Sequence, residues 1–248
     1  MRILITNDDG ADASQLPALI RACRAYGEVT AVVPRFEQSG KSHGIELHKA
    51  FLVEEKVLAP DVTVTTVDST PADCIRYAML GLKEKFDLVI SGINKGWNIG
   101  SDQIYSGTVG AACEAVALDT PAIALSTSPE YYDQAVSHLP EIMDYVEKND
   151  LLKIHNLYNI NIPAQPKGFM ITHQGGPYYS DNFKHVGNNM YLADGFCAYQ
   201  NRNDLSLDTD AIMNGYISIL PVTIDRTCIK VYEQLSGKAY KPLGKCFL

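Results

Sequence analysis

The sequence contains 248 residues and carries a formal net charge of -8, with a mass of 27.3 kDa and a pI near 5.2. A chain of this length can bury a substantial core, so one large α/β domain is the economical expectation. Binding to long nucleic acids generally requires a basic surface, and the acidic balance therefore argues against it and for a small substrate.

The cysteines and the hydropathy pattern bear on the cellular compartment. Six cysteines lie far apart without a C-x-x-C pair, which indicates neither a zinc site nor a disulfide framework. The apolar run at residues 3–5 is too short for the hydrophobic region of a secretory signal peptide. No run of about eighteen consecutive apolar residues predicts a membrane span. We therefore expect a cytoplasmic protein that does not associate with membranes.

Short apolar strands and amphipathic helices alternate from the start of the chain, as in a parallel sheet that helices cover on both faces. Strands are predicted at Arg2–Thr6 and at residues 29–33, which Pro34 closes. Residues 7–12 form a polar turn, and a helix follows them. The apolar stripe of this helix consists of Leu16, Leu19, Ile20 and Cys23, and Pro17 is tolerated in its first turn.

The next segments continue this alternation. Residues 37–44 form a polar stretch before residues 45–53, and residues 62–67 are a further β-branched run. Residues 70–73, Thr-Pro-Ala-Asp, predict a helix start in which the threonine caps, the proline takes the first position and the aspartate the third. The buried stripe of this helix is predicted to continue through Ile75, Ala78, Met79 and Leu82.

The rest of the chain completes the sheet and adds a hairpin. A strand at residues 88–91 leads into the glycine-rich segment 92–110 and a helix of small residues that ends near Leu118. The later elements are strands at 122–126, 157–162, 168–172 and 216–220, helices at 132–147 and 228–235, and a long hairpin at 178–199 interrupted at residues 187–189. We expect one doubly wound, mostly parallel α/β domain over residues 1–248. Within it, residues 1–126 form the half that carries the site, and residues 127–248 add the remaining core, the hairpin and the tail.

The strongest local signal is Asn7-Asp8-Asp9-Gly10, which follows the first strand. Open α/β sheets bind their ligands at the carboxyl ends of the strands, where this segment lies. Two adjacent carboxylates repel each other unless a cation lies between them or one is protonated. Their hard oxygen atoms suit Mg²⁺ or Mn²⁺, so we predict that Asp8 and Asp9 are metal ligands and catalytic residues. A polar turn with an Asx cap and Gly10 at positive φ is the alternative interpretation.

Two further loops lead to the same edge of the sheet. Residues 38–44 follow the second strand and could bring a hydroxyl to the metal, although taken alone they are an ordinary flexible loop. In the third loop, Ser106 can cap the following helix, and the backbone N–H groups of Gly107 and Thr108 are open to an anion at its positive end. Close packing of this helix on the sheet is the alternative interpretation of these small residues.

These motifs together resemble the SurE family of survival-protein 5'/3'-nucleotidases. The resemblance rests on Asn7-Asp8-Asp9-Gly10, Ser39-Gly40, residues 70–74, Ser91-Gly92-Ile93-Asn94 with Gly96, Asn98 and Gly100, residues 105–112, and residues 215–219. It implies a Rossmann-like fold and hydrolysis of nucleoside monophosphates with a divalent cation. By motif position, the resemblance makes Asp8, Asp9, Ser39 and Asn94 the metal ligands and places Asn98, Ser106, Gly107 and Thr108 around the phosphate. It also implies a homodimer or homotetramer in which the hairpin and the C-terminal tail pack on a neighbour.

The sequence departs from the family pattern outside the metal site. Arg35 stands where the family often has an acid, and His173 stands where an arginine is frequent. Residues 175–189 have little of the basic character that is common there. These departures concern substrate preference and the contacts between subunits, and the metal ligands stay as predicted.

The residues predict a reaction in which one metal ion binds a phosphate oxygen and a water molecule together, while Asp8 or Asp9 accepts the proton of that water. A transient aspartyl-phosphate is an alternative route. Two other classes of function fit the acidic pair. One is a receiver-like signalling module that is itself phosphorylated, and the other is a nucleotide-binding protein without catalytic activity. Multiple turnover of a phosphate ester with added Mn²⁺ separates the enzyme from both.

Overall fold

The computed structural model describes residues 1–236, and the remainder of the predicted tail, including Cys246, lies outside the described residues. Thirteen strands are present in this range: β1 Arg2–Thr6, β2 Glu28–Pro34, β3 Val53–Ala59, β4 Val62–Val67, β5 Leu88–Lys95, β6 Ala122–Thr127, β7 Leu157–Ile162, β8 Phe169–Ile171, β9 Tyr179–Ser180, β10 Phe183–His185, β11 Tyr191–Ala193, β12 Phe196–Cys197 and β13 Ile217–Pro221. The α-helices are α1 Leu16–Cys23, α2 Pro71–Arg76, α3 Gly107–Ala117, α4 Leu139–Lys148, α5 Leu151–Ile154, α6 Asp208–Met213 and α7 Ile229–Leu235. Among the described residues, no helix is both long and apolar enough to cross a membrane.

Nine strands form one sheet in the order β3-β4-β2-β1-β5-β6-β7-β13-β8. The six central strands, from β4 to β7, run parallel to one another, whereas β3 is antiparallel to β4 and β13 is antiparallel to β7. The short edge strand β8 is parallel to β13. The carboxyl ends of the central strands therefore meet at one edge of the sheet. The sheet draws strands from both halves of the sequence, and the predicted α/β class with a mostly parallel sheet is confirmed.

The alternation of side chains along β1 divides the core into two layers. Ile3 and Ile5 point to one face and pack in a cluster with α1 and α4, whereas Leu4 points to the other face and packs with α2 and α3. All three side chains are fully buried, as expected for a central strand covered on both faces. The four predicted stripe residues of α1 are buried as well, so the helix is anchored as its spacing predicts.

Most predicted elements are confirmed, and the differences have local causes. Residues 45–52 form no strand, and β3 begins at Val53 and continues into the charged residues that follow. Leu82 is exposed rather than buried, because α2 passes into a π-helical segment at Tyr77–Gly81 that breaks the 3.6-residue period. The predicted helix at 132–147 is divided into a 3₁₀ segment, Pro129–His138, and α4. The six-residue helix α6 was not predicted, since it is too short for a periodic stripe.

The predicted hairpin is confirmed as two short antiparallel pairs. β10 pairs with β11, and β9 pairs with β12 further from the tip. The tip residues Gly187, Asn188 and Asn189 have φ values of 93°, 50° and 57°, the left-handed conformation that glycine and asparagine adopt at the lowest cost. The hairpin presents several large apolar side chains to solvent, among them Phe183, Tyr191 and Leu192.

Gly110 lets the loop at residues 37–44 pack directly on α3. A Cβ atom at this position would overlap the carbonyl oxygen of Ser42 and lie 2.9 Å from the Cα of His43. Both obstacles are backbone atoms, so the loop as a whole would have to move. We predict that Gly110→Ala lowers the free energy of unfolding by about 1–3 kcal/mol, the usual cost of overpacking. Urea denaturation measures this change.

Gly81→Ala is the matched control, because its added Cβ would meet only the side chain of Tyr77 and not the backbone. We expect that variant to stay within about 0.5 kcal/mol of the wild type. Equal midpoints and slopes for Gly110→Ala and the wild type would contradict the close packing of the loop on α3.

Candidate functional site

The turn between β1 and α1 is connected to three other segments at the carboxyl edge of the sheet. The backbone N–H of Gln38 donates to the carbonyl of Asp8 at 2.7 Å, which brings the β2 loop to the turn. Lys95, the last residue of β5, donates its backbone N–H to Asp9. Thr108, in the first turn of α3, donates to Asp8. The structure thus brings together the loops that the sequence predicts to converge.

Asp8 is almost fully buried and is held at both carboxylate oxygens. The hydroxyl of Thr108 donates to Oδ1 at 2.6 Å, and the backbone N–H of the same residue donates to Oδ2 at 3.0 Å. Gly107 makes this approach feasible, since a Cβ there would lie 3.0 Å from the Cβ of Asp8. Burial raises the pKa of Asp8, although the two bonds from Thr108 act in the opposite direction.

Asp9 is half-buried and is held through one oxygen only. Its Oδ2 accepts from the backbone N–H of Lys95 at 3.1 Å and from the hydroxyl of Tyr132 at 3.3 Å. None of the described residues donates a hydrogen bond to its Oδ1. Burial, followed by the charge of Asp8, raises the pKa of Asp9 to about 6. One carboxylate oxygen is therefore available in a group that is close to changing its charge at neutral pH.

The alternative interpretation of this segment as a polar turn also holds, and it applies to Asn7 and Gly10. The Asn7 side chain donates to the carbonyl of Gly10 at 3.0 Å and accepts from its N–H at 3.2 Å. Gly10 has a φ of 85°, and a Cβ there would lie 2.8 Å from the carbonyl carbon of Phe36. Asn7 and Gly10 thus form the turn that presents the two carboxylates.

The other predicted metal ligands lie beside this pair. Ser39 is exposed, and its hydroxyl donates to Glu37 at 2.8 Å. The charge of Glu37 raises the pKa of both Asp8 and Asp9, so a third acid lies near the pair. Nothing in the sequence pattern indicated this role for Glu37. Asn94 precedes Lys95 on β5, and its Nδ2 donates to the carbonyl of Gly96 at 2.7 Å. This bond leaves the amide oxygen of Asn94 as a free acceptor.

Of the four residues predicted to surround the phosphate, three lie at the start of α3, and the fourth, Asn98, is buried in the core. Ser106 caps α3 as predicted, because its hydroxyl accepts from the N–H of Val109 at 3.1 Å. Thr108 uses both its hydroxyl and its N–H on Asp8, which leaves the N–H of Gly107 as the nearby donor for an anion. Asn98 is buried and donates its amide to Ser126 at 2.8 Å, within the core rather than toward the aspartates. The roles of these residues toward a phosphate stay predictions.

The donor set fits a hard divalent cation. Among residues 1–236, no three His, Cys, Asp or Glu side chains are grouped so that they could hold a metal. A metal here would therefore depend on Asp8 and Asp9, with the hydroxyl of Ser39 and the amide oxygen of Asn94 as further ligands. Oxygen donors of this kind suit Mg²⁺ or Mn²⁺, which keep several water ligands. A cation would also relieve the repulsion that raises the pKa of Asp9.

The two departures from the family pattern have partners within the fold. Arg35 forms an ion pair with Glu54 on β3, at 2.9 Å, and its guanidinium lies 5.4 Å from the ring centre of Phe36. His173 contacts the hydroxyl of Ser206 at 3.2 Å. Among the described residues, neither side chain forms a hydrogen bond or an ion pair with Asp8 or Asp9.

Comparisons with known proteins identify one family. Residues 3–181 match the family model described as Survival protein SurE. The chain is 34% identical to the 5'-nucleotidase SurE of Thermosipho melanesiensis, over 96% of this chain and 97% of that protein. It is 37% identical to the protein of the same name from Acinetobacter baumannii strain SDF, over 96% and 99%. The crystal structure of the SurE protein from Aquifex aeolicus superposes with a TM-score of 0.77 at 30% identity, covering 95% of this chain and 98% of that one.

The raised pKa of Asp9 predicts how stability depends on pH when no metal is bound. The folded state holds this proton up to about pH 6, whereas the unfolded chain releases it near pH 3.8. Stability is therefore greatest below the lower value and falls as the pH rises through the higher one. We predict that Asp9→Asn raises the free energy of unfolding above that of the wild type by about 1–2 kcal/mol more at pH 8 than at pH 4. Urea denaturation in the presence of a chelator measures this difference.

Asp12→Asn is the control for this measurement, because Asp12 lies in the same turn region but is exposed and pairs with Lys56. A change in the pH profile that only Asp9→Asn produces is due to the buried carboxylate. A pH profile of Asp9→Asn parallel to that of the wild type would show that the carboxylate does not carry the burial cost.

Proposed function

We propose, because this chain belongs to the SurE family of survival proteins, that it is a 5'-nucleotidase, a phosphoric monoester hydrolase that cleaves nucleoside monophosphates to nucleoside and phosphate. The observation that carries the proposal is the acidic pair at the carboxyl edge of the sheet, bonded to the first turn of α3. The relatives that bear this name match nearly the whole chain. Cleavage of 3'-nucleotides is part of the proposal as a second activity of the same site.

The proposal includes one divalent ion per subunit, Mg²⁺ or Mn²⁺, held by Asp8, Asp9, Ser39 and Asn94. When bound, such an ion supplies positive charge to the phosphate and lowers the pKa of a water molecule. The fit of the donor set supports this: two carboxylates carry the charge, and two neutral oxygen atoms complete the protein ligands. The side chains also leave room for the substrate, because a cation of this kind needs about six ligands and the protein provides four.

The two aspartates are suited to different tasks. Asp8 is fixed by two hydrogen bonds from Thr108, so it is the more rigid group and would hold the divalent ion in a defined position. Asp9 keeps one oxygen without a protein donor, and we assign it the role of orienting the attacking water and accepting its proton. The hydroxyl of Tyr132 and the N–H of Lys95 hold its other oxygen in place. The start of α3, with the free N–H of Gly107, faces the negative charge of the phosphate.

Two alternatives from the sequence are less well supported. A receiver-like module is not supported, because residues 3–181 match the SurE family model and the solved SurE structure covers 95% of the chain. A nucleotide-binding protein without activity would keep the same pocket. Multiple turnover distinguishes it from an enzyme, and the following experiment is designed to detect it.

We predict that Asp9→Asn lowers the turnover of a nucleoside monophosphate in Mn²⁺ by at least about 100-fold, because metal electrostatics and proton transfer both depend on this group. Excess chelator should abolish the turnover of the wild type. Phosphate release assays measure both effects, and far-UV circular dichroism verifies the fold. Asp12→Asn should keep wild-type activity. Undiminished turnover after either treatment would refute the metal-dependent mechanism.

The hairpin supports a homo-oligomer as part of the proposal. It carries exposed apolar side chains that a monomer would leave in water: Tyr179, Phe183, Val186, Met190, Tyr191, Leu192 and Phe196. Apolar groups clustered on a protruding segment are typical of subunit contacts. We propose a homodimer or homotetramer in which this hairpin packs on a neighbouring copy. We also propose a cytoplasmic location, which the five free cysteines among the described residues support.

We predict that the double variant Phe183→Ser/Leu192→Ser converts the oligomer to a monomer, because it removes apolar area that only a partner could bury. Light scattering coupled to size-exclusion chromatography measures the mass. The control is Val57→Ser, which removes a similarly exposed apolar side chain from β3, away from the hairpin. A wild type that elutes as a monomer, or a double variant of unchanged mass, would contradict this assembly.

A further inference from the structure

The segment at residues 98–106 connects β5 with α3 and carries two of the predicted phosphate residues, Asn98 and Ser106. Most of it is a 3₁₀ turn, Gly100–Tyr105, a conformation whose internal hydrogen bonds have poorer geometry than those of an α-helix. Its placement therefore depends on groups outside the segment. At its beginning, the N–H of Asn98 donates to the side chain of Asn161 on β7 at 2.8 Å. The next anchor comes from a distant part of the chain.

That anchor is Asp208, the first residue of α6. Its side chain is fully buried, and no basic group forms an ion pair with it among the described residues. Its Oδ2 accepts from the N–H of Gly100 at 2.8 Å. Its Oδ1 accepts from the N–H of Gly175 at 2.7 Å and from its neighbour Thr209 at 2.8 Å. One buried carboxylate thus joins the 98–106 segment to the base of the hairpin.

The backbone around this carboxylate is packed too closely for side chains. Gly100 has a φ of 59°, and a Cβ there would overlap the carbonyl oxygen of Gly176. A Cβ on Gly175 would overlap the hydroxyl of Thr209 and lie 3.0 Å from Oδ1 of Asp208. Each glycine is therefore required where it stands. Three backbone N–H groups converge on the carboxylate of Asp208, and hydrogen bonds of this kind define the position of the 98–106 segment to a fraction of an ångström.

We propose that Asp208 is a positioning residue for phosphate ester hydrolysis, acting through Gly100 to hold the 98–106 segment, and this inference rests on the proposed function. Asp208 does not touch the substrate. It fixes the segment that leads into Ser106 and the start of α3, which face the phosphate in the proposed site. A buried carboxylate is costly unless its charge is compensated by donors. Here the donors are backbone N–H groups of the 98–106 segment, of the base of the hairpin and of α6 itself.

The experiment uses Asp208→Asn in the full-length protein. An amide oxygen can keep the bonds to Gly175 and Thr209, but the amide nitrogen then faces the N–H of Gly100 and releases that bond. We expect kcat/KM for a nucleoside monophosphate to fall by about 10- to 100-fold, the usual effect of a small misplacement of reacting groups. The inhibition constant of orthophosphate should rise by a similar factor. The dissociation constant of Mn²⁺ should stay within about twofold, since the acidic pair is not altered.

Asp210 provides a matched control on the same helix. It is also fully buried, and it accepts from the hydroxyl of Tyr199 at 3.1 Å and from the N–H groups of Arg202 and Asp204 at 2.9 and 3.0 Å. None of these donors belongs to the 98–106 segment. Asp210→Asn should lower the melting temperature as much as Asp208→Asn does, and yet keep kcat/KM and phosphate inhibition within about twofold of the wild type.

If Asp208→Asn does not fold, Gly100→Ala tests the same bond from the other side, because the added methyl must move the segment away from Gly176. The same rise in the phosphate inhibition constant, with unchanged Mn²⁺ binding, supports the proposal. Kinetics equal to those of Asp210→Asn in either variant would overturn it. Lack of turnover by the wild type would instead disprove the proposed function, and this inference would fall with it.

Discussion

The contact between Asp8 and Thr108 is the interaction on which the candidate site depends. It joins the end of the central strand β1 to the first turn of α3, two elements that lie 100 residues apart in the sequence. The carboxylate is buried, so it is retained only because both oxygens receive hydrogen bonds. Gly107 leaves the space for this approach, and the loop after β2 is bonded to the backbone of the same aspartate. The other residues of the candidate site are arranged around the fixed carboxylate of Asp8.

The two aspartates differ in how firmly the protein holds them. Each carboxylate oxygen of Asp8 accepts one hydrogen bond from Thr108, whereas Asp9 keeps one oxygen without a protein donor and has a pKa shifted toward neutrality. Two neighbouring acids with different surroundings can therefore serve different purposes, one as a fixed support and the other as a group that exchanges protons. Glu37 adds a third negative charge nearby, which increases the attraction of the region for a cation. Bringing these acids together costs electrostatic free energy, which a bound cation would reduce.

The sequence predicted the sheet and the location of the site well, because strands buried on both faces and cap residues have strong local patterns. β1 and β7 have the predicted bounds, and both Thr70 and Ser106 cap helices as expected. What it did not predict depends on contacts between distant residues. Tyr132 and Glu37 lie near the acidic pair through tertiary packing, and α6 with Asp208 is too short for a periodic signal. Thr108 was predicted to face the phosphate, but no local pattern could indicate that Asp8 already occupies its donors.

The outermost strand of the sheet has a consequence for how copies of the chain meet. β3 is antiparallel at one end of the sheet and carries Glu54, Glu55 and Lys56 in succession, while the strand at the other end, β8, has only three residues. A charged rim and a very short rim both discourage backbone pairing with another molecule. Main-chain groups at these two rims therefore offer little to the strand of another molecule. Fibre-like polymerisation through strand edges is thereby disfavoured, even in a crowded solution of this protein.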